Sequence, residues 1–138
     1  NKSIFVIFFY FNNSNKISIN IKPLNSILKE NNITNIDLLV IDVEGFEENV
    51  LKGFTIEKYN PTIIIIEISD THPDFINNQD IMNKFKRIRK YFVDKNYKLL
   101  GNDIVDNVYL PKAIYDKLDT NFINFIKTNI NHTQYVLK

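Results

Sequence analysis

Asp42 and Glu44 stand two residues apart, with Val43 between them and Gly45 directly after. On an extended chain, side chains at this spacing leave on the same side. Such a carboxylate pair can bind Mg²⁺ or Mn²⁺ through oxygen, or orient a hydroxyl and accept its proton. It can also serve the chain alone, with Glu44 capping the next helix and Asp42 satisfying amides of the turn. Glu67 ends a second apolar run, and His72 follows five residues later. Histidine is the natural proton carrier near neutral pH. Asp42, Glu44, Glu67 and His72 are therefore the candidate catalytic residues, provided that the fold brings both run ends to one edge.

The elements that must do this are legible. Residues 36–42 form a nearly continuous apolar run before Asp42. Pro61 breaks the chain before 62–68, which holds four consecutive isoleucines. Both read as strands buried on two faces, as in a parallel sheet. Ligands bind beyond the carboxyl ends of such strands. Residues 4–11 read as a strand and Ile17, Ile19 and Ile21 alternate as a second, giving a hairpin across an Asn-rich turn. Pro23 opens a short helix with Leu24, Ile27 and Leu28 on its buried side. A helix over 46–52 carries Glu47 and Glu48 in its first turn, where they complement the helix dipole. Gly53 suits a left-handed position after it. A long helix runs from about 79 to 95 with Ile81, Phe85, Ile88 and Phe92 inward and its lysines and arginines mostly outward. Short strands at 97–100 and 108–110 follow, then a helix from Asp119–Thr120 carrying Phe122, Phe125, Ile126 and Ile130. Alternating strands and helices define an α/β fold with a largely parallel sheet.

With 138 residues, the chain suffices for one domain with its own core. Seventeen basic and sixteen acidic residues give a net charge of +1, which argues against a dedicated nucleic-acid binder. The lack of cysteine removes disulfides, thiolate catalysis and Cys-based zinc sites, and fits a cytoplasmic protein. The apolar segment 4–11 is far short of the ~20 residues that span a membrane. One preceding Lys and no small-residue cleavage site make it a strand rather than a signal peptide. There is no G-x-G-x-x-G, Walker loop, G-x-S-x-G elbow or H-E-x-x-H pair.

The segment from Asn35 to Gly53 resembles the signature of the FkbM family of S-adenosylmethionine-dependent methyltransferases. That signature is an apolar strand, then Asp-Val-Glu-Gly-x-Glu, then Val-Leu-x-Gly. Here Asp42, Val43, Glu44, Gly45, Glu47, Val50, Leu51 and Gly53 fill it. Pro61 to Glu67 is similar to the family's next strand, which also ends in Glu. Ile21 to Leu28 is similar to the segment before the signature, and Asn107 to Pro111 to the closing strand. The likeness covers about residues 17–111, and residues 1–16 are unplaced by it.

The resemblance implies a Rossmann-like class I methyltransferase sheet, seven-stranded and mostly parallel with its last strand antiparallel. Residues 36–42 would be its fourth strand and 62–68 its fifth. It implies methyl transfer from S-adenosyl-L-methionine to a hydroxyl of a sugar or other small metabolite, with Asp42 near the methyl donor. The family's glycine-rich loop and ribose-holding acid have no counterpart here, so the chain reads as the C-terminal part of such a domain, with the cofactor site largely outside it. An inner neighbour of strand 36–42 would be missing, leaving an edge open to self-association unless 4–11 covers it. Two other readings stand beside this one. The first is a non-catalytic remnant or interaction domain of the same fold. The second is a metal-dependent phosphotransferase or hydrolase using Asp42 and Glu44. Small-molecule or glycan acceptors are expected as partners, with neither nucleic acid nor membrane.

Overall fold

The computed structural model describes residues 4–8, as backbone only, and 21–130. Its order is β1 (Ile4–Phe8), α1 (Leu24–Glu30), β2 (Leu38–Asp42), α2 (Glu47–Lys52), α3 (Ile56–Tyr59), β3 (Ile63–Glu67), α4 (Gln79–Asp94), β4 (Tyr97–Asn102), β5 (Asp106–Pro111), α5 (Lys112–Tyr115) and α6 (Thr120–Ile130). Five strands form one sheet in the order β1-β2-β3-β5-β4. The β1-β2 and β2-β3 pairs are parallel, and β5 runs antiparallel to both of its neighbours. Four strands therefore share a direction and the last opposes them, as expected, in a sheet of five described strands rather than seven.

β1 covers the edge of β2 that was expected to be open, in register from Ile4 opposite Leu38 to Phe8 opposite Asp42. The described partner of β1 is β2, and the expected hairpin falls on residues outside the described part. Residues 17–20 lie outside the described part, and Ile21 is coil and 79% exposed.

One face of the sheet carries the core. Leu39, Ile41, Ile64, Ile66 and Tyr109 point into it and meet Leu24 and Leu28 of α1, Leu51 of α2, Ile56 and Tyr59 of α3, and Phe85, Ile88 and Phe92 of α4. Phe92 stacks on Tyr109 with centroids 4.1 Å apart. Leu38, Val40, Ile65 and Val108 on the other face are only half-buried, and Ile63 is 37% exposed. Burial on both faces was the expectation, and it fails because α1 to α4 all pack on one side. Apolar β-branched runs suit a strand with either surrounding, so composition alone cannot tell them apart. The α6 helix packs along β4, yet Phe122 and Phe125 remain exposed, the latter by 62%.

Gly53 departs from its expected role. Its φ is −90°, not left-handed. A side chain there would meet the Cα and Cβ of Pro23 at 3.4 Å, so the glycine serves the close approach of α1 to the end of α2. Asn25 fastens the same junction, its N–H donating to the Gly53 carbonyl at 3.1 Å and its Oδ1 accepting from the Thr55 N–H at 2.9 Å. Among the described residues no helix is long and apolar enough to cross a membrane.

Candidate active site at the carboxyl edge

β2 ends at Asp42, and the chain then turns within three residues. Glu44 adopts φ +45° and Gly45 φ +94°. Glycine takes such a conformation freely. Glutamate does so at a cost of about 1–2 kcal/mol. The other non-glycine residues at positive φ among the described ones are Asn32, Asn60 and Asn96, the type that tolerates it best. An extended chain through Glu44 would have set it on the same side as Asp42; β2 ends at Asp42, and the turn rather than strand alternation carries Glu44 to the sheet edge.

The outcome is convergence. Carboxylate oxygens of Asp42, Glu44 and Glu67 all lie within 4.8 Å of one another. Ile41 stands opposite Ile66, which puts Asp42 beside Glu67 at the next step of the ladder, and Glu67 stands opposite Asp106 on β5. Three acidic residues thus form a row across β2, β3 and β5. Burial, above all, pushes the Glu67 carboxyl up from its ordinary value, and the charges of Glu47, Glu44 and Asp42 add to this against the opposing hydrogen bond from Ser69. That bond is donated by Ser69 Oγ at 3.1 Å. Partial desolvation, then Asp103 and Asp42, push Asp106 up as well.

Glu44 does not cap the next helix. Phe46 occupies the cap position of α2 without any side-chain hydrogen bond. The turn is held instead by Glu47, which the sequence reading placed at the helix dipole. Glu47 is 1% exposed. Its Oε1 accepts the Gly45 N–H at 2.8 Å, and its Oε2 meets Lys84 Nζ of α4 at 3.1 Å. Lys84 Nζ also donates to the Gly45 carbonyl at 3.2 Å. A buried carboxylate needs such partners. Lys84 lies 39 residues from Gly45 and was read as one of an outward basic series, so no local signal could have joined them.

His72 sits in the loop between β3 and α4 and is not part of the carboxylate group. Its Nδ1 accepts the Asp74 N–H at 3.2 Å, and its ring lies 5.4 Å from that of Phe75. The same loop is tied to α4 by Arg89, which grips Asp70 with two hydrogen bonds of 2.5 and 2.8 Å and donates to the Tyr109 hydroxyl at 3.3 Å. Arg89 and Asp106 are further residues that sequence reasoning passed over. A cavity of about 160 Å³ between α2 and α4, lined by Glu48, Leu51, Arg87 and Tyr91, lies apart from the carboxylates. It is too small for most ligands, which occupy roughly 300 Å³ or more.

Three converging carboxylates can hold a divalent ion, seat an organic cation or take a proton. Fold and site together define an α/β domain with a group of carboxylates at the carboxyl edge of its sheet. The family model of the methyltransferase FkbM domain matches residues 3–99, and the chain belongs to that methyltransferase family. The match takes in residues 3–16, which the resemblance left unplaced, and stops before the expected closing strand at 107–111. No curated protein and no solved structure matches the chain.

Proposed function

We propose that the chain takes part in methyl transfer from S-adenosylmethionine to a hydroxyl oxygen of a sugar or other small metabolite. The observation that carries this is the meeting of Asp42 and Glu44, from the family's own motif, with Glu67 at one sheet edge. A sheet with its last strand antiparallel fits the Rossmann-like methyltransferase architecture. The carboxylates fit the cationic end of the cofactor, which supplies a methyl group on a positively charged sulfur. Asp42 and Glu44 attract that charge and set its position. Glu67, whose carboxyl is pushed toward neutrality, is the best-placed acceptor for the proton of the attacking hydroxyl. His72, in the loop between β3 and α4, is the further candidate for orienting the acceptor. Positioning supplies most of the rate in such a transfer. The acceptor is not nucleic acid in this reading, since a net charge of +1 provides no strong overall field for a polyanion.

The test is calorimetric titration with S-adenosylmethionine, followed by radiolabelled transfer to a panel of sugars. Binding by the wild type, with Glu67→Gln binding equally and transferring nothing, supports the reading. Absence of binding by this chain, with binding by a longer one that carries a glycine-rich loop, means truncation, and absence in both favours the non-catalytic domain. Stabilisation by Mg²⁺ in place of the cofactor favours the metal-dependent hydrolase.

A further inference from the structure

We propose that Lys84 and Glu47 are positioning residues, which hold the Glu44–Gly45 turn in its left-handed form and so keep the Glu44 carboxylate against Asp42 and Glu67. This rests on the reading of the acidic edge as the seat of the methyl donor's positive charge.

Three independent observations meet on the pair. Glu44 is the one left-handed residue among those described that is neither Gly nor Asn, so something other than its own preference must fix it. Both backbone polar groups of Gly45 are taken by the pair, the N–H by Glu47 and the carbonyl by Lys84. Glu47 is almost fully buried, with a side chain 2% exposed against 20% for Lys84, which makes the pair a fixed strut rather than a mobile surface contact. The strut therefore sets where Glu44 points. Lys84 is carried by α4, which is packed through Phe85, Ile88 and Phe92 into the core. The turn is thereby referenced to the rigid part of the molecule and not to its own loop.

The experiment uses the full chain, labelled with ¹⁵N, as wild type, Lys84→Met, Lys84→Arg and the control Arg87→Met, whose parent side chain binds Glu48 on the outer side of α2. Two quantities are read: exchange of the Gly45 amide proton, and the ratio of dissociation constants for S-adenosylhomocysteine and S-adenosylmethionine, which differ by the charge on sulfur. Lys84→Met is expected to speed Gly45 exchange about tenfold while Ile66 stays protected. It is expected to lower the preference for the charged ligand about fivefold. Lys84→Arg should restore most of both, and Arg87→Met should change neither. Unchanged Gly45 exchange overturns the proposal. So does faster exchange with an unchanged ligand preference, which would leave the pair a purely structural strut. If Lys84→Met loses Ile66 protection, Glu47→Gln, which keeps the side-chain shape, is judged by the same two readouts. A wild type without preference between the ligands removes the methyl-donor reading alone, and Gly45 exchange still decides whether the pair holds the turn.

Discussion

The two ends of β2 and β3 are built differently. At the amino ends the chain closes on itself with ordinary backbone bonds. The Ile36 N–H donates to the Tyr59 carbonyl at 3.1 Å, and the Thr62 and Ile63 N–H groups donate to the carbonyls of Ile36 and Asp37. The Tyr97 hydroxyl donates to the Pro61 carbonyl at 2.7 Å, and burial drives that phenol far above its usual pKa. Ile36 and Tyr59 are fully buried there. At the carboxyl ends the same strands gather like charges, a left-handed glutamate and a buried ion pair. The apolar end lowers the free energy of the fold, and the acidic end raises it. A small domain tolerates the second because the first, together with the Lys84 strut, over-determines the turn.

Destroying the stable end should have the largest effect. Tyr59→Ala removes a fully buried ring stacked 5.7 Å from Phe54, and should destabilise the chain by about 3–5 kcal/mol in urea unfolding. Lys84→Met attacks the acidic end instead. It leaves the Glu47 carboxylate buried with the Gly45 N–H as its remaining hydrogen bond, and should cost about 1–3 kcal/mol in the same assay. Glu44→Asn should move the other way. Asparagine accepts the left-handed turn, so stability should rise by about 0.5–1 kcal/mol while binding of S-adenosylmethionine weakens.

The pH dependence of Glu67 sharpens the contrast further. Its folded pKa is raised above the ordinary 4.5. The folded state therefore holds this proton more tightly than the unfolded chain. Its stabilising contribution is present in full below about 4.5 and is lost as pH rises through the folded value. Glu67→Gln should melt higher than wild type at pH 8, with the difference closing as pH falls toward 4.5. Glu48 behaves oppositely, because its bond to Arg87, above all, lowers its pKa, so its contribution is lost on acidification. The smallest effect should come from Lys90→Ala. Lys90 pairs with Asp94 at 2.7 Å on the open surface of α4, and melting should show a change within about 0.5 kcal/mol.

Much of this arrangement was legible one residue at a time. The isoleucine run gave β3, the stripe of Ile81, Phe85, Ile88 and Phe92 gave α4, and Asp42, Glu44 and Glu67 could be placed at strand ends because parallel strands finish together. α3 and α5, at four residues each, were missed, since one turn of helix leaves no periodicity to read. Gly53 was misread because a close approach to Pro23 selects glycine as strongly as a positive φ does.

By itself the sequence determined the α/β alternation, the carboxylates at the strand ends and the family motif that contains them. These depend on short-range spacing, which one chain displays directly. Only the tertiary structure decided that β1 pairs with β2, that the helices from α1 to α4 share one face, and that His72 stands outside the carboxylate group. It alone turned Glu47 from a helix-end charge into a buried anchor, because its partner Lys84 comes from a helix 37 residues further along. Contacts of that range arise when separate elements pack on a common sheet, and no local pattern encodes them.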